Sequence, residues 1–284
     1  MNPVISSLIY VLASCMVLFI STILFEKIAK FSPEAEIKKG NHTATIAFCG
    51  YLIGVVFILA GAFIGPSAKT FKLDLIMYLL YSLVGLGLMA FSVFLANKVM
   101  LYKFDNAKEL LEDNNIGTAA VHFAIYVASG LIIAACVNGE YGGLLSTIGY
   151  YLMDMIFLFI FIKIYDLMTP YSIYDEIEKD NYAAGIALAG NIIAIGLILM
   201  KSTLGNGLDW KHGLVLYFAD LASILLLLPS VRFILGKFIL KSININTEIQ
   251  KNNVAASLIE FIFITCFALI VFFMVDFTCF TCFV

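Results

Sequence analysis

Charge is what this sequence has least of. Asp, Glu, Lys and Arg make up 13% of its 284 residues, about half the share in a soluble domain (about 25%). The 17 Lys and Arg are outnumbered by 20 Asp and Glu, which gives no basic surface for a nucleic acid. Only three histidines are present. No His/Glu pair falls on one helix face as in a zinc hydrolase, and no Gly-rich loop is suited to phosphate. No nucleophile–base set is visible either, so neither enzyme activity nor a metal or other cofactor is expected. Met1 to Ser7 contain no Lys or Arg, so a cleaved leader with a charged start is not expected. Four of the six cysteines (Cys15, Cys49, Cys136, Cys266) sit inside apolar runs and read as small core residues. Cys279 and Cys282 form a Cys-x-x-Cys pair at the C-terminus, either an oxidisable pair or part of an apolar tail.

What is abundant is apolar length. The chain is 62% hydrophobic with a mean hydropathy of +1.00. Runs of about 20 apolar residues recur throughout, the length of a membrane-crossing helix. In hydrocarbon the backbone must satisfy its own hydrogen bonds, which a helix does. The runs are continuous rather than alternating, which excludes a transmembrane β-barrel. The expected fold is all-α: a polytopic membrane helix bundle with eight transmembrane helices as two tandem four-helix repeats. The spans fall at about 4–25, 43–65, 73–96, 117–137, 143–165, 182–200, 214–236 and 254–275, and the two domains are 1–139 and 140–284.

Basic residues set the orientation. Of the 17, only Lys69, Lys72, Lys201 and Lys211 flank the connections after even-numbered spans. The other thirteen flank the connections after odd-numbered spans, which places those in the cytoplasm and both termini outside.

One short pattern recurs. Asn181-Tyr-Ala-Ala-Gly-Ile-Ala-Leu-Ala-Gly190 aligns without a gap on Asn41-His-Thr-Ala-Thr-Ile-Ala-Phe-Cys-Gly50. Looser forms begin at Asn114-Asn-Ile-Gly-Thr-Ala-Ala and Asn252-Asn253-Val-Ala-Ala-Ser. Each opens an even-numbered span on its cytoplasmic side, so the building unit is a hairpin used four times. An Asn before a helix caps it by accepting a first-turn N–H. The following Ala183, Ala184, Ala187 and Gly190 make a small-residue seam for close packing. Each half has an even number of spans, so any symmetry between halves would be a parallel pseudo-twofold about the membrane normal.

Thr169-Pro170, an Asn-x-Ala-Ala start about eleven residues later, and a second such start opening the fourth span resemble the YjfL-like family of bacterial inner-membrane proteins. That family is built on a four-span domain of unknown function, and this sequence is similar to two such domains in tandem. The first half departs from the pattern in spacing (Ser32-Pro33 to Asn41) and in Gly117, which stands directly before Thr-Ala-Ala. The resemblance implies fold and a bacterial inner-membrane location. It supplies no catalytic residues.

The remaining candidates are polar residues at membrane depth, where each is costly and calls for a reason. Asp154 falls near the centre of span 5, Asn191 near the centre of span 6, Asp220 in the outer third of span 7 and Glu260 in the inner third of span 8. His122 lies in the inner third of span 4, and Glu26 and Asp166 sit at cytoplasmic span ends. Asp154, Asn191 and Asp220 align with Val17, Tyr51 and Tyr81, so the second half alone carries this set. With no Lys or Arg expected at their depth, the acids read either as hydrogen-bonded glue between helices or as a ladder for protons or a cation. Thr147-Ile-Gly-Tyr150 matches four residues of a potassium-filter pattern without a pore helix before it.

Two functions stay open. One is a channel or transporter moving protons or a cation along Asp154, Asn191, Asp220 and Glu260. The other is a non-conducting scaffold or accessory subunit that anchors a cytoplasmic protein. The lipid bilayer is the one partner that composition demands; a homo-oligomer and a cytoplasmic partner are left open.

Overall fold

The computed structural model describes residues 3–65, 67–101, 105–138, 143–204 and 210–274. Among them are twelve α-helices and no strand. Eight are long: α1 (Pro3–Ala29), α3 (His42–Ile64), α4 (Phe71–Leu95), α6 (Ile116–Asn138), α7 (Gly143–Met168), α9 (Tyr182–Thr203), α10 (Trp210–Ile234) and α12 (Val254–Met274). Four have six residues each: α2 (Pro33–Lys38), α5 (Asn106–Leu111), α8 (Ile173–Glu178) and α11 (Ile245–Gln250). The order long–short–long repeats four times, giving hairpins α1–α3, α4–α6, α7–α9 and α10–α12.

Seven of the long helices are long and apolar enough to cross a membrane. The expected seventh span, about 214–236, falls on α10. That helix is continuous over 25 residues, and its sequence is apolar from Gly213 through Leu228 apart from Asp220 and Ser223. The polytopic all-α class therefore stands; among the described residues seven helices meet the length and hydropathy requirement. The Thr147–Tyr150 stretch lies inside α7, where the Thr147 hydroxyl donates to the carbonyls of Cys136 and Gly143; it is helix, not a filter loop. Cys279 and Cys282 lie outside the described residues.

The second helices of the hairpins form a row: α3 packs on α6, α6 on α9 and α9 on α12. The first helices flank it, so that α3 touches both α4 and α6, α6 both α7 and α9, and α9 both α10 and α12. Within the row α6 and α9 are buried along nearly their whole length, whereas α3 and α12 are buried on one side only. Small residues bring the row together. A Cβ on Gly130 of α6 would collide with the Gly54 backbone of α3, and one on Gly185 of α9 with the Gly117 backbone. Glycine at these points lets backbones approach to contact.

No helix of the last hairpin packs along a helix of the first among the described residues. A twofold between halves would need that contact to match the one between hairpins 2 and 3. The halves are related head to tail along a row, which corrects the expected pseudo-twofold. The two halves nonetheless repeat in detail: α4 and α10 each end in a five-residue π-helical turn, Ala96–Met100 and Leu235–Ile239.

Candidate functional site

The recurring Asn builds one site four times. Asn41, Asn115, Asn181 and Asn253 accept, through Oδ1, the N–H groups of Ala44, Thr118, Ala184 and Ala256 at 3.0, 3.0, 3.0 and 3.4 Å. In each case the bonded N–H lies three residues on, in the first turn of the long helix. The cap in the second hairpin is therefore Asn115, and the irregularity at Gly117 disappears when the register is counted from that residue.

Each cap is locked to the short helix before it. The backbone N–H groups of Asn41, Asn115, Asn181 and Asn253 donate to the carbonyls of Glu36, Glu109, Glu176 and Glu248 at 3.0, 2.9, 3.0 and 2.9 Å. Their Nδ2 atoms donate to the Oε2 of the same four glutamates at 3.0, 2.8, 3.0 and 2.8 Å. The residue before each cap is left-handed: Gly40, Asn114, Asp180 and Asn252, with φ of 76°, 54°, 61° and 59°. Gly, Asn and Asp are the types that tolerate this conformation. A Glu followed five or six residues later by a Gly/Asn/Asp–Asn pair is thus the sequence signal for the site. Counting only Asn and Ala misses the Glu.

A second amide hydrogen links hairpin to hairpin. Asn41 Nδ2 donates to Leu110 O at 3.0 Å, Asn115 Nδ2 to Ile177 O at 2.7 Å and Asn181 Nδ2 to Ile249 O at 2.9 Å. The accepting residue in each case follows the glutamate of the next hairpin.

The membrane-depth acids fall into two separate clusters. Near the uncapped ends, Asp154 is fully buried and accepts from Tyr217 Oη at 2.6 Å and Thr203 Oγ1 at 2.7 Å, with Cys136 Sγ at 3.9 Å. Thr203 is the last residue of α9, so Asp154 meets the uncapped end of α9 while standing near the middle of its own helix α7. On the neighbouring face Asp220 pairs with Lys201 at 2.7 Å. Near the capped ends, Glu260 Oε1 receives Arg232 Nε at 2.9 Å and Tyr165 Oη at 3.0 Å. Arg232 also donates to Asn246 Oδ1 at 3.1 Å and to Tyr165 Oη at 2.7 Å. Glu260 Oε2 is buried without a partner among the described residues.

The expectation that no cation stands at the depth of these acids is therefore overturned. In sequence Lys201 and Arg232 flank their spans, but long basic side chains lie along a helix and reach inward. Asn191 belongs to neither cluster. Its Nδ2 donates to Ala187 O, one turn back on α9, at 2.8 Å, and its Oδ1 is buried and unpartnered among the described residues. Asp154 and Glu260 are separated by ~20 Å along the helix axes, counting 1.5 Å per residue from the caps. The structure brings Asp154 and Asp220 to the same end of the bundle and leaves Asn191 and Glu260 apart from them.

Four participants have no expectation attached: Tyr217, Thr203, Tyr165 and Asn246. Tyr217 has an equivalent in the first half, Tyr78, whose hydroxyl meets Ser14 Oγ at 2.6 Å. Both tyrosines cross from the first helix of one hairpin to that of the hairpin before. Asp74 is a further first-half acid, accepting from Tyr10 Oη and Ala68 N at 2.6 Å each. His122 is buried on α6 with Nδ1 3.2 Å from Tyr126 Oη. Among the described residues, no three of His, Cys, Asp and Glu gather as metal ligands.

Comparison with known proteins agrees with this architecture. The chain is 32% identical to a "UPF0719 transmembrane protein" of Aquifex aeolicus over 135 residues, 48% of this chain and 50% of that protein. It is 24% identical to "UPF0719 transmembrane protein YshE" of Bacillus subtilis over 119 residues, 42% of this chain and 84% of that protein. The first of these matches thus spans half the relative's length. No solved structure matches. The model of one family, Domain of Unknown Function (DUF350), matches twice, over residues 1–137 and 140–275. This integral membrane protein therefore belongs to the DUF350 family and carries its domain in tandem.

Proposed function

We propose that the chain is a non-conducting membrane scaffold whose row of four short helices faces the cytoplasm and anchors a soluble partner. One observation carries this reading: two of the three second-half acids at membrane depth, Asp220 and Glu260, are each closed by a cation of the same bundle. Lys201 holds Asp220, Arg232 holds Glu260, and the two clusters stand at opposite ends of α9 with Asn191 between them bonded to its own helix. A conduction path needs groups that pass an ion between neighbours, and ion pairs closed within the helix bundle act as fasteners. The orientation follows from the excess of basic residues on the capped side. That side offers a mixed-charge surface, with Lys38, Lys108, Lys179 and Lys251 exposed beside Glu34 and Asp113. No catalytic role enters this reading.

The test is twofold. The purified chain in vesicles passes no H⁺, Na⁺ or K⁺ above empty vesicles. Affinity capture from bacterial membranes recovers a stoichiometric soluble partner, which is lost when residues 105–113 are exchanged for a neutral linker. A second reading, a proton or cation path, is favoured by Asp154, whose three described partners are all uncharged donors. Proton flux by the parent chain that disappears in Asp154→Asn would replace the scaffold with that reading.

A further inference from the structure

The hydrogen bond from one hairpin to the next is made three times and left open at both ends of the row. Asn253, the fourth cap, donates through Nδ2 to Glu248. Among the described residues its second amide hydrogen has no acceptor. It is half-buried, whereas Asn41, Asn115 and Asn181 are buried. At the other end Ile37 occupies the accepting position. Its side chain is 54% exposed, against 4%, 0% and 0% for Leu110, Ile177 and Ile249. The Ile177 carbonyl takes two donors, the turn N–H of Asp180 and the amide of Asn115. The Ile37 carbonyl takes the turn N–H of Gly40, and no second donor reaches it among the described residues.

The apolar surfaces are open in the same sense. At every internal junction the second helix of one hairpin lies between the two helices of the next. The corresponding groove on the first hairpin faces outward. It measures about 480 Å³ and is lined by Leu18, Phe19 and Thr22 of α1 and by Leu52, Ile53 and Val56 of α3. At the far end α12 presents Leu258, Ile262 and Ile270, 49%, 54% and 47% exposed.

The geometry points to a second copy of this chain as the occupant of that groove. The last hairpin of one copy seats on the first hairpin of the next, α12 lies between α1 and α3, and Asn253 Nδ2 donates to Ile37 O. The surfaces on the two copies differ, so the contact is heterologous and repeats into a ring or a filament. Counted from the caps, Ile262 and Cys266 stand where α3 has Gly50 and Gly54. The helices of two copies therefore lie farther apart than α3 and α6, and the capped-side hydrogen bond sets the register. The Bacillus subtilis relative supports the division: a 119-residue match fills 84% of it, leaving room for a single domain. The inference holds whether or not the chain conducts.

The full chain is reconstituted in bacterial-lipid vesicles and its association is read by single-molecule photobleaching. Two populations, Ile37→Cys and Ala255→Cys, are then mixed and treated with a short bismaleimide. Association in the parent, and a crosslinked dimer in the mixture well above the parent and above either population alone, is the expected result. A parent that stays monomeric at every density overturns the inference, as does crosslinking within the Ile37→Cys population alone, which marks a head-to-head contact. Ile37→Glu changes a position exposed in the single copy, so its melting in dilute detergent stays at the parent value. Its association weakens at least tenfold; unchanged association overturns the inference.

Discussion

The side-chain amide of Asn181 lies 2.9 Å from the carbonyl oxygen of Ile249, and through this one contact the capped start of α9 is tied to the next hairpin. The same Asn accepts the Ala184 N–H and donates to Glu176. These three bonds, with a longer one from Nδ2 to Gln250 O at 3.4 Å, converge on one buried side chain. Replacing Asn181 by Ala removes all of them and leaves Glu176 and Ile249 short of a donor. A lost cap costs about 0.5–2 kcal/mol, and a buried group left unsatisfied adds about 1–3 kcal/mol. Asn253→Ala removes a half-exposed cap with no described neighbouring hairpin to hold, so it costs about 1 kcal/mol. Thermal unfolding of the two variants in one detergent checks the order. Equal losses would mean that the link to Ile249 contributes nothing.

Arg232 and Glu260 give a second expectation. Arg232→Met leaves the Glu260 carboxylate buried without its cation, which costs about 3–5 kcal/mol. Arg232→Met combined with Glu260→Met removes both charges and recovers most of that loss, because an apolar pair has no desolvation to offset. A double-mutant cycle on thermal stability measures the coupling. Additive losses would show that the pair is not a fastener, and would weaken the scaffold reading with it.

The hairpin, its cap and its small-residue seam were legible in the sequence because local chemistry dictates them. An Asn ahead of Ala-Ala at the edge of an apolar run has one good use, and the run length fixes the helix. The row was not legible. It depends on which helix face Gly54, Gly130 and Gly185 present to which neighbour, and apolar helices in an apolar solvent show no one-sided pattern to reveal that. The clusters failed for a different reason. Asp154, Asp220 and Glu260 stand out as costly residues, but Lys201 and Arg232 look like ordinary flanking charges. Only the direction of a long side chain decides that they turn inward, and Tyr217 gives no sign that it reaches Asp154.

Acidity acts on the short helices in two opposite ways. Burial raises the Glu109 carboxyl above its ordinary range, against the lowering hydrogen bond from Asn115, with Asp113 and Asp180 raising it further. A group whose pKa is raised by folding favours the folded state as pH falls towards its unfolded value. Glu36 and Glu248 run the other way, lowered by Lys39 and by Asn253 respectively. Their contribution is present above the ordinary glutamate range and is lost as pH falls through their depressed values. Glu109→Gln keeps an acceptor for Asn115 and removes the desolvated charge. Its melting temperature at pH 7 therefore stays at or above the parent's, and the gain over the parent shrinks towards pH 4. Glu248→Gln lowers stability at pH 7, with the difference closing on acidification. Melting curves between pH 4 and 8 decide, and a Glu109→Gln variant less stable than the parent at pH 7 would contradict the assigned direction.

Close approach of α3 and α6 supplies the last expectation. A Cβ on Gly130 would meet the Gly54 backbone, and backbone cannot rotate away as a side chain can. Gly130→Ala therefore forces the two helices apart or strains them, at about 1–3 kcal/mol. The intrinsic preference of a helix for Ala over Gly, roughly 0.5–1 kcal/mol, opposes this and is smaller. At Gly87 on α4 an added Cβ meets nothing within 4 Å, so the intrinsic preference acts alone and Gly87→Ala is neutral or stabilising. The pair separates helix propensity from row packing in one experiment. Parallel shifts in melting temperature would mean that the row tolerates a wider spacing. Opposite shifts would establish that direct backbone contact between hairpins holds the row together.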